Sequence, residues 1–163
     1  MTFIDSDDYI ETGFFDIDYS SSADLVLQQK SVIGQNNMTE SYPRGIYQGE
    51  ELKELLTSYL TGELFRVPWG KFFRASIVKG NNIQFALNYR LGEDALFMLD
   101  YFYYCHQILI AGDANYMYRV VGDFISRYKM SFEECVNYIG ELLAKYDRLG
   151  IDSKRYLALN YTL

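Results

Sequence analysis

The feature that most restricts the fold is a nearly unbroken apolar stretch at residues 93–112, EDALFMLDYFYYCHQILIAG. Its polar side chains are too few and too scattered to give a helix of this sequence a solvated face. A segment that is apolar on nearly all sides is typical of a buried helix around which the rest of a small domain packs. We therefore predict that residues 93–112 form the central helix of the chain.

Two further helices are predicted after this one. Residues 114–129, ANYMYRVVGDFISRYK, place their apolar side chains in one stripe at helical spacing. The next segment, residues 131–150, begins with Ser131 and Glu134 at the spacing of a capping box, in which each side chain accepts a hydrogen bond from the other residue's backbone. The stretch from residue 93 to residue 150 is thus predicted to form three consecutive helices.

The first 90 residues have a different character, with short alternating segments separated by polar turns. Residues 71–78 and 83–90 predict an antiparallel hairpin, because Gly80 and Asn81 between them tolerate positive φ. Residues 14–19, FFDIDY, also alternate, which predicts a half-buried strand that displays its aspartates.

One helix is predicted in this half, at residues 48–62. Glu50 and Glu51 favour its N-terminal end through the helix dipole, and Gly62 can end it. The predicted fold class is therefore α+β, with short antiparallel strands and a hairpin in the N-terminal half and a three-helix C-terminal half. A length of 163 residues with 49% hydrophobic content suits a single domain over residues 1–163.

Charge is distributed very unevenly along the chain. The first 24 residues hold seven acidic side chains and no basic one, whereas the acidic and basic residues of the remainder balance. The whole formal charge of −7 therefore originates in this N-terminal segment. Such a field repels phosphate backbones and anionic membranes and attracts basic surfaces, so we expect neither direct nucleic-acid binding nor membrane binding.

Aromatic residues are interleaved with these acids, which favours a protein-binding face over a purely solvating segment. Two alternatives are a mobile acidic leader over residues 1–12 and a DNA mimic, although seven acids are few for a lattice of phosphates. On this interpretation the acids steer a basic protein partner and the aromatic rings anchor it. The predicted partner-binding residues are Asp5, Asp7, Asp8, Tyr9, Glu11, Phe14, Asp16 and Asp18.

No catalytic or metal-binding motif stands out. Alternate oxygen-bearing residues from Asp16 to Asp24 resemble an EF-hand loop, but Ser21 and Leu27 occupy the positions of its central glycine and bidentate glutamate. A single histidine, His106, excludes multi-histidine metal chemistry, and no glycine-rich phosphate-binding motif is present. We predict no catalytic residues, no metal and no cofactor.

The remaining candidates for chemistry each have a structural explanation. His106 could act as a general base, but its aromatic neighbours favour an imidazole packed in the core. Asp94 and Asp100 on the central helix are the first candidates for carboxylate hydrolysis, although capping and solvation explain them too. The segment FRVPWGKFFR at residues 65–74 resembles a single-strand nucleic-acid stacking site, but a turn with buried rings explains it without a ligand.

Cellular location and function follow from exclusion and composition. Cys105 and Cys135 lie in apolar patterns, which favours reduced thiols, and no export signal or membrane span is visible, so a cytoplasmic location is expected. In composition and size the chain is similar to bacterial immunity proteins and to phage-encoded inhibitors of host defence. We predict a non-enzymatic protein that inhibits or sequesters a basic partner such as a nuclease toxin. The alternatives are a phage-encoded inhibitor and a small carboxylate-based hydrolase that uses the helical half.

Overall fold

The computed structural model describes residues 1–17, 22–33, 38–40, 42–60, 62–112, 115–119 and 129–152. Strands and helices alternate along this part of the chain. The strands are β1 (Tyr9–Ile10), β2 (Leu25–Leu27), β3 (Lys30–Ile33), β4 (Met38–Glu40), β5 (Gly45–Gln48), β6 (Lys71–Phe73), β7 (Gln107–Ile110) and β8 (Tyr116–Arg119). The helices are α1 (Gly49–Tyr59), α2 (Glu63–Arg66), α3 (Ala75–Gly80), α4 (Glu93–Tyr103) and α5 (Phe132–Arg148).

The strands form two mixed four-stranded sheets. In the central sheet the order is β5-β7-β2-β6, with β2 and β7 parallel and both edge strands antiparallel to their neighbours. In the outer sheet the order is β1-β8-β3-β4, with β3 and β8 parallel. Because β3 closely follows β2 and β8 closely follows β7, the same two stretches of chain form the parallel pair at the centre of both sheets.

Helix α4 supplies much of the core. Seven of its eleven residues are buried, which confirms that a largely apolar sequence forms a central buried helix. Helix α5 runs alongside in the same direction: Tyr138 lies against Gly92 at the start of α4, and Lys145 contacts Asp100 near its end. The predicted capping box at the start of α5 is confirmed, with Glu134 as the third helical residue.

The α+β class is confirmed, but parts of the predicted arrangement are wrong. The central helix ends at Tyr103, and residues 107–110 and 116–119 are strands, so the stretch between α4 and α5 is not a continuous second helix. The short apolar segment of β7 is buried on alternate residues within a sheet, a setting that periodicity alone does not distinguish from a buried helix. The predicted residues 120–128 of that helix lie outside the described part of the chain.

The predicted hairpin at residues 71–90 is also wrong. Only β6 forms, and the chain then enters helix α3. Positive φ occurs one residue after the predicted turn pair, at Asn82, where it ends that helix. The alternating apolar side chains of the second predicted strand anchor a loop instead: Phe85 stacks on Phe97 and Tyr89 packs on Tyr138.

The strand predicted at residues 14–19 does not form over the residues that the structure describes. Residues 14–16 lie in a turn, and Asp16 N–H donates to the Gly13 carbonyl. The alternation placed Phe15 and Ile17 on the face opposite the aspartates, but in this turn Phe14 is the buried ring and Phe15 is exposed together with Asp16. Residues 18 and 19 lie outside the described residues.

The N-terminal segment, for which mobility was one interpretation, makes defined contacts with the central sheet. The Met1 amino group donates to the Phe73 carbonyl at 2.9 Å, and Thr2 and Phe3 form bridges with Phe72 and Trp69. Within the described residues, no helix combines the length and the apolar character needed to cross a membrane.

Candidate functional site

Three of the N-terminal acids form a compact cluster. A turn in which Asp8 N–H donates to the Asp5 carbonyl brings Asp5, Asp7 and Asp8 together, with one carboxylate oxygen of each within 4.8 Å of the others. Asp5 and Asp7 are exposed and Asp8 is half-buried. Partial burial raises the pKa of Asp5, and the negative charges of Asp8 and Asp7 raise it further. The cluster therefore concentrates negative charge that a cation would relieve.

Tyr116 holds this cluster in place through hydrogen bonds to two of its residues. Its hydroxyl donates to Asp8 Oδ2 at 2.6 Å and accepts from the Asp5 backbone N–H at 3.2 Å. The backbone N–H of Arg119, on the same strand, donates to Asp8 Oδ1 at 2.8 Å. Burial and the hydrogen bond to Asp8 raise the pKa of the Tyr116 phenol, which therefore remains a donor. Strand β8 thus sets the orientation of the Asp8 carboxylate.

A fourth carboxyl group, in the first turn of α4, lies within electrostatic range of the cluster. Asp94 is half-buried, and burial raises its pKa to about 7, with the negative charges of Glu93 and Asp5 acting in the same direction. The cation of Lys71 opposes this shift. The effect of Asp5 means that these two carboxyl groups, far apart in sequence, lie within electrostatic range of each other in the fold. A carboxyl group that titrates near neutrality is suited to accepting and returning protons.

A buried layer of aromatic and basic side chains lies next to the acids. Lys71 is fully buried, and its Nζ donates to the Trp69 carbonyl at 3.1 Å. The Trp69 indole stacks on Tyr116 and Tyr118 with centroid distances of 4.8 and 5.1 Å. Buried Lys30 lies 5.2 Å from the same indole and pairs with Glu63 at 2.6 Å. Since the indole is buried, the segment at residues 65–74 is not an open stacking surface for nucleic acid.

Of the other predicted partner-binding residues, those that the structure describes lie outside this cluster. Tyr9 is 39% exposed and lies under the Arg119 guanidinium. Glu11 and Asp16 are exposed on the following turn. Phe14 is completely buried against Phe72 and Tyr116, so it is a core residue and not a surface anchor. Asp18 lies outside the described residues.

The remaining candidates for chemistry either have structural roles or lie away from the acidic cluster. Asp100 accepts from Lys145 Nζ at 2.7 Å and joins α4 to α5. His106 is exposed, so the prediction of an imidazole packed in the core is wrong, since the chain leaves the helix at Tyr104 and turns this side chain outward. Burial raises the pKa of the neighbouring Cys105 thiol, which keeps it protonated and unreactive.

The donor set of the acidic cluster fits a hard divalent cation. Ca²⁺, Mg²⁺ and Mn²⁺ prefer carboxylate oxygens, and the three aspartates offer several within one small volume. Both oxygens of Asp8 already accept one hydrogen bond and retain lone pairs for a cation. In the sequence, this metal chemistry was considered only for residues 16–24, although the acids at residues 5–8 have D-x-D-D spacing. That spacing, together with Glu-Asp at a helix start, was the available signal.

Comparison with known proteins gives a fold match and no sequence-family match. No protein-family model and no curated protein matches the sequence. Among solved structures, S. aureus TarS 1–349 in complex with UDP-GlcNAc is similar, with 19% identity over 99% of this chain and a TM-score of 0.61. TarS 1–349 without a named ligand (20% identity, TM-score 0.54) and in complex with UDP (19%, 0.53) match over the same 99% of this chain.

The chain spans about half the length of these TarS structures, with coverage of 50–52%. At this level of identity the likeness shows a shared fold. The shared fold is that of a protein crystallised in complex with UDP-GlcNAc and with UDP, and no inhibitor is among these matches. The predictions of a non-enzymatic inhibitor, an immunity protein and toxin neutralisation are therefore wrong.

The physical reason for the error lies in how the acids were interpreted. The N-terminal acids were interpreted as a spread-out negative charge that attracts a basic partner. In the structure, three of them form one cluster, and Asp5 in that cluster raises the pKa of Asp94. A basic protein partner for this segment stays a prediction.

Proposed function

We propose that this chain provides part of the active site of a glycosyltransferase that uses a nucleotide-sugar donor such as UDP-GlcNAc. The fold shared with a UDP-GlcNAc complex supports the donor class. The observation that carries the proposal is the proximity of the clustered aspartates to Asp94, a carboxyl group with a pKa of about 7. In such a site, the clustered aspartates suit binding of the donor diphosphate, and Asp94 suits removal of the proton from the acceptor hydroxyl.

In the proposed donor site, Asp5, Asp7 and Asp8 hold a divalent cation. When bound, the cation neutralises charge on the diphosphate and on the leaving nucleotide. Tyr116 and the Arg119 backbone keep the Asp8 carboxylate in one orientation, as the partners of metal ligands commonly do. Without a cation, the same carboxylates would repel the diphosphate.

In the proposed acceptor site, Asp94 acts as the general base. The acceptor oxygen attacks the anomeric carbon, the bond from that carbon to the diphosphate oxygen breaks, and the acceptor proton passes to a carboxylate oxygen of Asp94. The raised pKa of Asp94 makes it a stronger base than an ordinary aspartate and still leaves it largely ionised slightly above neutral pH. A cytoplasmic location is part of the proposal and is supported by two cysteines that form no disulfide.

Calorimetric titration of the full chain with UDP tests the donor site. We expect binding with Mn²⁺ present and its loss with excess EDTA. Asp7→Asn is expected to weaken binding in Mn²⁺ by about tenfold or more, since it removes one carboxylate from the cluster. The matched control is Asp16→Asn, which changes an exposed acid outside the cluster and is expected to bind as the wild type does.

Two results would overturn the donor site: no UDP binding in the presence of either Mn²⁺ or Mg²⁺, or an equal effect of the two substitutions. The reaction is tested separately by measuring release of UDP from UDP-GlcNAc across a panel of hydroxyl acceptors.

A further inference from the structure

A second concave surface lies at the opposite end of α4 from Asp94. It is a cleft of about 360 Å³ between the start of α1, the end of α4 and the end of α5. Sites that bind small molecules commonly enclose ~300–1,000 Å³. Asp94 lies near the start of α4 and Phe102 near its end, so ~12 Å of helix separates this cleft from the acidic site. The cleft is therefore distinct from the proposed donor and acceptor sites.

The floor of the cleft is apolar. Leu52 and Leu56 of α1 and Phe102 of α4 are buried core residues that line it. Leu149 and Ile151, which follow α5, complete the apolar surface. The two leucines of α1 and Phe102 are already shielded, so contact with a hydrocarbon or ring would chiefly remove the half-buried Leu149 and Ile151 from water, which is favourable in proportion to the area covered.

The polar groups at the rim are basic. Lys53, His106 and Arg148 line the cleft, and no lining residue in the described part of the chain is acidic. The Arg148 guanidinium stacks on the Tyr103 ring at 3.6 Å and lies 3.6 Å from Asp100, which hold it along one wall. In a chain of net charge −7, a concave surface whose charged side chains are all basic stands out.

The start of α1 adds to the same electrostatic character. Gly49 lines the cleft, and a Cβ placed on it would meet no atom within 4 Å, so the backbone is open there. The preceding Gln48 makes no side-chain cap, which leaves helix N–H groups available. The positive end of the helix dipole favours an anion at this point. Glu50 and Glu51 of the first turn do not line the cleft.

We propose that this cleft binds a small anionic amphiphile, with an apolar body on the leucine and phenylalanine floor and one anionic group at the basic rim. The two features act on different parts of one molecule. Neither an uncharged amphiphile nor an inorganic anion satisfies both of them.

Calorimetric titration of the full chain with three probes tests this inference. Decanoate carries both features, 1-decanol has the same chain without the charge, and inorganic phosphate has charge without the chain. We expect saturable 1:1 binding of decanoate, binding of decanol that is weaker by about tenfold or more, and no competition by phosphate. Equal binding of decanoate and decanol would overturn the proposal, as would phosphate binding as tightly as decanoate.

A double variant, Lys53→Gln with His106→Gln, locates the site. It removes two rim groups without touching the buried floor, and we expect it to weaken decanoate binding by about tenfold. Lys79→Gln changes an exposed lysine on α3 and is the matched control, with unchanged affinity expected. Retained UDP binding shows that the double variant is folded, and its melting temperature gives the same check if the wild type binds no UDP. A folded double variant with wild-type affinity for decanoate would place the ligand elsewhere and overturn the assignment.

Discussion

Asp94 and Asp100 lie on the same helix and have opposite surroundings. Asp94 is half-buried beside other acids, and its pKa rises from an ordinary value of 3.8 to about 7. Asp100 instead accepts from Lys145 and lies near Arg148. The ionised form is therefore disfavoured at Asp94, whereas Asp100 forms ion pairs with Lys145 and Arg148. Both were candidates from the sequence, and only their neighbours in the fold separate a carboxyl group with a raised pKa from one held in ion pairs.

This contrast predicts that the same substitution, aspartate to asparagine, changes the free energy of unfolding in opposite directions at the two positions. Between about pH 4 and pH 7 the folded chain retains a proton on Asp94 that the unfolded chain has lost, so this group makes folding less favourable as the pH rises. Asp94→Asn is expected to increase the free energy of unfolding at pH 8 by about 1–3 kcal/mol, with a much smaller effect at pH 4. Urea denaturation at both pH values measures it.

The matched substitution is Asp100→Asn, which leaves Lys145 without its carboxylate and is expected to lower stability at pH 8 by about 1 kcal/mol. If Asp94 is also the general base, Asp94→Asn abolishes transfer while it stabilises the fold, and wild-type activity rises with pH through about 7. A loss of stability at pH 8 in Asp94→Asn would contradict the assigned environment.

At the scale of elements, the start of α4 determines where Asp94 lies. Gly92 caps this helix with a φ of +85°, in the left-handed region that favours glycine. A Cβ at this position would lie 2.4 Å from the Tyr138 ring of α5. Glycine is therefore required twice here, by its backbone angle and by the close approach of the neighbouring helix.

We expect Gly92→Ala to lower the free energy of unfolding by about 2 kcal/mol or more, because strain and overpacking add. Gly140→Ala is the control: it lies inside α5 with open space around its Cα, and alanine there is expected to be neutral or to stabilise by up to about 1 kcal/mol. Thermal unfolding of both variants makes the comparison. Equal melting temperatures would show that α4 and α5 do not meet at Gly92.

Elements with strong local signals were predictable from the sequence. Helix α1 has acids in its first turn and a periodic leucine face, and α5 has a capping box, so both were predicted close to their observed bounds. The wrong predictions concern segments whose structure depends on contacts with residues distant in sequence. Strand β7 exists because β2 and β5 pair with it on either side, and no local signal reveals these partners. The alternation at residues 83–90 was real, but it serves the contacts of Phe85 and Tyr89 instead of a strand.

The individual acidic residues of the candidate site could be singled out from the sequence, but their proximity in the fold could not be predicted from it. Asp5, Asp7, Asp8 and Asp94 were all singled out by type, and their convergence depends on where the N-terminal segment meets α4. That meeting is made by aromatic packing between segments distant in sequence, which a single sequence does not encode in any local pattern.

At the scale of the whole molecule, Phe3 joins the N-terminal segment to three other parts of the chain. Its ring centroid lies 5.5 Å from those of Phe73 on β6, Phe85 in the loop before α4, and Phe97 on α4, each in an edge-to-face arrangement. Two residues later in the chain, Asp5 begins the acidic cluster. Phe3 therefore connects the acidic turn, the central sheet and the helix that carries Asp94.

Phe3→Ala is accordingly expected to affect both stability and the site. Loss of three ring contacts predicts a decrease of about 3 kcal/mol in the free energy of unfolding. Because the turn at residues 5–8 loses the aromatic anchor that precedes it in the chain, UDP affinity in Mn²⁺ is also expected to fall, even under conditions where the variant is fully folded. Phe15→Ala, at a ring that is 51% exposed, is the control and is expected to change both quantities little. A Phe3→Ala variant that loses stability but binds UDP with wild-type affinity would show that β8, through Tyr116 and Arg119, positions the acidic turn without help from the aromatic cluster.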